Sequence, residues 1–203
     1  MLESRNVLNI LLLGDAGVGK SSLLSRFLNQ KSSGSKPTMG VDYFDRVIAV
    51  SGAEVDARFW DTAGAERFRA LSEAYFPIGS GILLVFDVTS KNSFDNLKYW
   101  IERIREKCRE GIPILIVANK IDLEDKRVVS DAEAIDYSKS IDAFFISASA
   151  KTNQNNSVDK AFAEILNYAF EKTQGEQERR TTLLRPSVLL KESIEHEKKS
   201  CCN

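Results

Sequence analysis

Gly14-Asp15-Ala16-Gly17-Val18-Gly19-Lys20-Ser21 decides how the rest of this 203-residue chain reads. Glycine at the first and sixth places, followed by Lys-Ser, is the spacing of a phosphate-binding loop. Phosphates carry dense negative charge. Glycines let backbone N–H groups turn inward and approach that charge, at the positive end of a helix expected to start near Lys20. The expected cradle runs through Asp15, Ala16, Gly17, Val18, Gly19, Lys20, Ser21 and Ser22. Lys20 brings a positive charge to the outer phosphates, and the Ser21 hydroxyl is a hard oxygen suited to Mg²⁺. The flanks agree with a strand–loop–helix unit. Val7–Leu13 is a short apolar run, and Leu23, Leu24, Phe27 and Leu28 make one helix face.

Outward from this loop, strand-like runs alternate with helical patterns. The strands expected are Val7–Leu13, Tyr43–Val50, Val55–Trp60, Ile82–Asp87, Ile114–Ala118 and Ala143–Ile146. Helical spacing covers roughly 20–29, 66–76, 92–109, 131–140 and 156–171. Ser51-Gly52-Ala53-Glu54 is a hairpin signal between two of the strands. The pattern predicts an α/β fold of the P-loop NTPase class: a six-stranded, mostly parallel sheet with one antiparallel edge strand and helices on both faces. Periodicity fades near Glu171, so residues 1–171 read as one domain and 172–203 as a flexible, near charge-balanced tail.

Trp60-Asp61-Thr62-Ala63-Gly64 follows a strand. An Asp at a strand's carboxyl end is where a P-loop protein holds Mg²⁺, and Gly64 can offer a backbone N–H to a γ-phosphate. Asn119-Lys120-Ile121-Asp122 follows the run Ile114–Ala118. A guanine ring presents two donors, N1–H and the N2 amino group, and the Asp122 carboxylate can accept both. Adenine lacks that pair and would leave the carboxylate unsatisfied, which argues against an ATPase or kinase. Asn119 would brace the loop, the Lys120 stem can cover a ring face, and Ser149-Ala150-Lys151 would offer the Ala150 N–H to guanine O6. Along the hairpin, Asp56, Arg58 and Trp60 share the polar face, opposite Val55, Ala57 and Phe59. A Trp there is either a contact site or part of the core.

A formal net charge of -1 does not suit a nucleic-acid binder. Two of the three cysteines, Cys201 and Cys202, are adjacent, which excludes a disulfide framework and suits a reducing compartment. No secretory signal or run of membrane-spanning length is visible, so any membrane contact is expected through an anchor. Cys108 reads as a small apolar helix residue and His196 as solvated.

In this order the motifs resemble the Ras superfamily over residues 5–171, and its Rab branch in particular. Met39-Gly40-Val41-Asp42-Tyr43 is similar to the Rab switch I stretch, and Trp60 to Phe68 is similar to its Trp-Asp-Thr-Ala-Gly-Gln-Glu-Arg-Phe. The resemblance implies a GTP/GDP switch with Mg²⁺, hydrolysing GTP and regulating vesicle traffic. Thr38 falls on the switch I threonine that ligates Mg²⁺ with Ser21 and Asp61 in the GTP state. Tyr43, Trp60 and Tyr75 fall on the aromatic triad offered to effectors, or are core. Lys20, Thr38, Gly64 and position 65 form the implied catalytic set. The implied partners are effectors at switches I and II, an exchange factor, a GTPase-activating protein, and the Rab escort protein or GDI; a monomer is expected. Cys201-Cys202-Asn203 resembles a Rab prenylation site, implying the cytosolic face of an intracellular membrane. Val188-Leu189-Leu190 is either the element the escort protein grips or a chance cluster.

Four departures stand out. Ala65 replaces the glutamine that orients attacking water, which implies slow intrinsic hydrolysis or a non-cycling, GTP-bound scaffold. Ala16 stands where Ras has glycine. Switch I is one residue short, carries no aromatic for the base, and implies faster exchange. Pro77-Ile78 replaces Arg-Gly in switch II.

Overall fold

The computed structural model describes residues 7–29, 38, 40–64 and 73–183. Six strands, β1 (Val7–Leu13), β2 (Val41–Val50), β3 (Ala53–Thr62), β4 (Gly81–Asp87), β5 (Ile114–Asn119) and β6 (Phe144–Ser147), form one sheet in the order β2-β3-β1-β4-β5-β6. Only β2 and β3 pair antiparallel; the other pairs are parallel. Among the described residues the helices are α1 (Lys20–Phe27), α2 (Lys91–Asp95), α3 (Leu97–Lys107), α4 (Asp131–Ser140) and α5 (Ser157–Leu183). The mostly parallel sheet with one antiparallel edge strand is thus the one expected.

The central strands are buried on both faces, which is why they read as continuous apolar runs. Along β1, Leu8, Ile10 and Leu12 join a core with α1 and α5, through Leu23, Leu24, Phe162 and Ile165. Leu11 and Leu13 turn to the other core, with Leu97, Trp100, Ile101 and Ile104 of α3 and Ala134 of α4. All of these side chains are buried. The hairpin closes more tightly than its four-residue signal suggested: Val50 pairs with Ala53, leaving a two-residue turn. Ser51 and Gly52 both have positive φ, at 49° and 82°, as a twist-matched turn requires.

Two helix boundaries differ from expectation. The helix expected over 92–109 is broken at Asn96 and ends at Lys107. Asn96 keeps a helical backbone (φ -70°, ψ -10°), but its side-chain amide bonds to Asp15 Oδ2 at 2.6 Å. Cys108 caps α3 on extended backbone rather than lying within the helix; it is half-buried, and burial pushes its thiol up to about 12. At the C-terminal end, α5 runs to Leu183, so the 171/172 boundary falls inside a helix. Once α5 leaves the sheet no apolar stripe is needed, while Glu171, Lys172, Gln174 and Glu176 are good helix formers. Most of the expected 66–76 helix lies outside the described residues. The chain then makes a short 3₁₀ turn, Phe76–Ile78, started by Pro77.

Candidate functional site

The four nucleotide-site motifs meet at the carboxyl edge of the parallel strands. The phosphate loop follows β1, Ala63-Gly64 follows β3, Lys120–Asp122 follows β5, and Ser149–Lys151 lies just beyond β6. β1 lies between β3 and β4, where connections leave in opposite directions, and such a switch point opens a crevice for a ligand.

Within the phosphate loop Gly14, Gly17 and Gly19 have φ of 132°, 74° and 100°. A Cβ on Gly14 would lie 2.1 Å from the Val85 carbonyl oxygen, so glycine is required there. α2 and α4 begin with serine caps, Ser90 accepting from the Ser93 N–H and Ser130 from the Glu133 N–H. α1 begins at Gly19 with no side-chain cap and no acid in its first turn. Its leading N–H groups and dipole are therefore available to an anion. Lys20 is buried, and its ammonium donates to the Gly14 and Asp15 carbonyls, both at 2.8 Å. Burial lowers it to about 8, against the pull of Asp61 and Asp15. A cation held by carbonyl dipoles in a low-dielectric wall gains from an incoming phosphate.

Three oxygens converge beside Lys20. The Ser21 hydroxyl donates to Asp61 Oδ2 at 2.5 Å and shares a 2.8 Å hydrogen bond with Thr38 Oγ1. Thr38 Oγ1 is 3.4 Å from the same Asp61 oxygen. Asp61 is buried, and its Oδ1 has no hydrogen-bond partner among the described residues. Burial raises the Asp61 carboxyl, opposed by Ser21, Lys20 and Thr38. An orphaned carboxylate oxygen beside two hydroxyls is a hard-oxygen donor set that fits Mg²⁺, an ion bound through one or two carboxylates together with phosphate oxygens. Gly64 packs against the phosphate loop: a Cβ there would meet Asp15 and Ala16 backbone atoms at 2.3–2.5 Å.

Beside this cradle lies a cleft of about 740 Å³, lined among others by Gly19, Asn29, Asn119, Lys120, Asp122 and Ala150. Asn119 is buried and joins the two halves of the site. Its amide donates to the Val18 carbonyl at 2.8 Å, and its Oδ1 accepts the Ala150 N–H at 3.2 Å. The Ala150 N–H expected to face a base is thus engaged by Asn119. Ser149 donates to Asp122 Oδ1 at 2.6 Å, fixing the carboxylate at the cleft wall.

Sequence reasoning missed two contributors. Arg26 donates to the Ala150 and Lys151 carbonyls at 3.0 and 2.6 Å, tying α1 to the loop after β6. Its signal was a lone Arg late on α1, which sequence alone reads as solvated. Asp87 ends β4 and holds Lys120 Nζ at 2.6 Å. A carboxylate closing an apolar strand was visible, but not what it faces.

The three aromatics form one stack: ring centroids are 5.3 Å apart for Tyr43 and Trp60, and 4.6 Å for Trp60 and Tyr75. Tyr43 is 55% exposed and Trp60 8%. Trp60 thus belongs to the core, with its indole N–H on Asn9 Oδ1 at 3.0 Å. Arg58 bridges to Asp45 with two bonds, 2.6 and 2.8 Å, and lies over the Tyr43 ring. Ala65, Cys201 and Cys202 lie outside the described residues.

Near the stack, Glu73 accepts two bonds from Arg103, at 3.0 and 2.9 Å, one from Tyr99 at 3.3 Å and one from Lys107. Arg103 chiefly, against burial and with help from Lys107, pulls the Glu73 carboxyl down to about 2. Its folded value lies below the ordinary 4.5, so its contribution is complete above pH 4.5 and lost as pH falls towards 2. Glu73→Gln should cost about 2 kcal/mol at pH 7. Urea midpoints should show the gap from the unaltered protein closing as the solution is acidified through that window. A gap independent of pH would refute this role.

Residues 9–171 match the model of the Ras family. Among curated proteins, the chain is 38% identical to the Ras-related protein Rab11D of Nicotiana tabacum over 165 residues, 81% of this chain and 73% of that protein. It is 41% identical to the Ras-related protein RABA2a of Arabidopsis thaliana over 162 residues, 79% and 74% of the two chains. It is also 41% identical to the GTP-binding protein ypt2 of Schizosaccharomyces pombe over 157 residues, 77% and 78%.

Proposed function

The chain belongs to the Ras family and is of the Rab type, and from that premise we propose that it is a GTP/GDP switch of intracellular membrane traffic whose own hydrolysis step is weak. The observation that carries the reading is Asn119, whose one side chain joins the phosphate loop at Val18 to the base-side loop at Ala150. Phosphate and base recognition are thereby one rigid unit, as a nucleotide site needs. Lys20 and the α1 N-terminus take the phosphate charge. Ser21, Thr38 and Asp61 would hold Mg²⁺, which when bound neutralises charge between the β- and γ-phosphates. Gly64 would present its N–H to the γ-phosphate, and Asp122, fixed by the Ser149 hydroxyl, selects guanine. Protein purified from its own cells should carry about one guanine nucleotide per chain. Adenine nucleotide, or none, would overturn the reading.

Hydrolysis in this fold is mainly positioning and charge stabilisation. The Ala65 methyl can neither accept from nor donate to the attacking water, so intrinsic turnover is very low and the GTP state persists. Ala65→Gln should speed single-turnover hydrolysis at least about tenfold; no acceleration would show that water orientation from this position is not limiting. Rab-class activating proteins insert a glutamine as well as an arginine, so such a partner restores turnover in trans. The same alanine favours a second reading, a GTP-bound scaffold that does not cycle, which resists hydrolysis even with an activating protein.

The Tyr43–Trp60–Tyr75 stack is the proposed effector face, with Tyr43 its exposed part. An exchange factor and the Rab escort protein or GDI complete the cycle. Among the described residues no helix is long and apolar enough to cross a membrane. Attachment is proposed through prenyl groups on Cys201 and Cys202, beyond a nucleotide-binding domain that α5 closes. Two chains are needed because one anchors only weakly. Intact mass of protein from its own cells should show two isoprenoid additions, and an unmodified mass would exclude the anchor.

A further inference from the structure

Asp87 and Lys120 form a pair that the nucleotide reading does not use. Asp87 closes β4 and lies in register with Asn119 of β5, so its carboxylate stands one strand from the base-recognition loop. Both of its oxygens are committed. Oδ1 accepts the Thr89 N–H at 2.9 Å and the Thr89 hydroxyl at 2.7 Å; Oδ2 takes Lys120 Nζ at 2.6 Å. Its own N–H donates to Ser93 Oγ at 3.0 Å, and the next residue, Val88, donates to the Asn119 carbonyl at 3.1 Å. Burial alone would raise this carboxyl, but bonds from Lys120 and Thr89 hold it below the usual range. The backbone of Lys120 has φ 69°, a left-handed conformation that fixes where its side chain leaves the chain. Lys120 also lines the cleft beside Asp122 and Ala150.

We propose that Asp87 is a positioning residue for the base cleft: by holding the Lys120 ammonium it fixes the lysine stem as one wall of the cleft and lengthens the residence of the bound guanine nucleotide. This rests on the guanine-nucleotide reading above. A free lysine samples many rotamers and must be ordered when a base arrives. Here the ordering is done in the folded protein, before the ligand enters, and pre-organisation of this kind acts on affinity directly. Asp87 needs no contact with the nucleotide to do this.

The test separates this role from the turn that Asp87 also makes. Asp87→Asn keeps an acceptor for Thr89 and nearly the same shape, but removes the charge that holds the ammonium. Release of fluorescently labelled GDP in Mg²⁺ should become about tenfold faster, with unchanged circular dichroism and binding stoichiometry. Lys120→Met keeps the apolar stem and lacks the ammonium. In that background Asp87→Asn should add no further acceleration. Unchanged release in Asp87→Asn, or an equal acceleration in the Lys120→Met background, would overturn the proposal. An unaltered protein that binds no GDP would instead overturn the nucleotide reading, and this inference with it.

Discussion

Asp122→Asn should reduce GTP affinity by at least about a thousandfold and create affinity for xanthosine triphosphate. The native carboxylate sits at the cleft wall, with one oxygen fixed by the Ser149 hydroxyl at 2.6 Å and the other 4.0 Å from Lys151 Nζ. It offers only acceptors, which match the N1–H and N2 amino donors of guanine. The asparagine amide replaces an acceptor with a donor. That leaves an unmet donor on guanine, whereas xanthine presents a carbonyl oxygen at the same place. Ser149 tolerates the change because a hydroxyl can donate or accept, so the fold should be unaffected. Competition of GDP and XDP against a fluorescent nucleotide gives the readout. Retention of native GTP affinity would sink the base-recognition argument.

Gly19→Ala should be nearly as damaging, for a reason lodged in the protein rather than the ligand. Gly19 has φ 100°, and a Cβ there would lie 2.3 Å from Asn119 Nδ2. A side-chain end could ordinarily swing away, but this one is 1% exposed and bonded to the Val18 carbonyl and the Ala150 N–H. Moving it cuts the tie between phosphate loop and base loop. Together with the strain of a left-handed alanine, the change should cost about 2–4 kcal/mol of stability and roughly a hundredfold or more in GDP affinity. Gly17→Ala is the control. Gly17 has φ 74° but nothing within 4 Å of its Cβ position, so its stability loss is limited to about 1–2 kcal/mol of backbone strain. Melting temperatures of both variants decide the matter, because Gly17 lies in the phosphate cradle and its variant is a control for stability alone. Equal behaviour of the two would refute the argument from Asn119.

The central strands and the site loops were legible because burial on both faces leaves unbroken apolar runs, and because phosphate chemistry demands glycine at set positions. Other features were silent for physical reasons. Trp60 alternates with Asp56 and Arg58, which left a contact site and a core residue both open, and it is covered by Tyr43 and Tyr75. Alternation reports a face, not what lies over it. The far end of α5 carries no apolar stripe, so periodicity could not follow it. Asp15 was read for its backbone in the cradle. Its carboxylate in fact turns to Asn96 Nδ2 at 2.6 Å and Trp100 Nε1 at 3.0 Å. No sequence spacing announces a contact across so much intervening chain.

That last contact gives α3 an unexpected place in the mechanics of the molecule. Near its start, Asn96 and Trp100 grip the phosphate loop through Asp15. Farther along, Arg103 and Lys107 grip Glu73, two residues before Tyr75. At 1.5 Å of rise per residue the two clamps span roughly 16 Å. A stiff rod clamped at two points transmits tilt from one to the other. The phosphate loop and the chain leading into Tyr75, whose ring packs on Trp60, are thus fastened to the same helix.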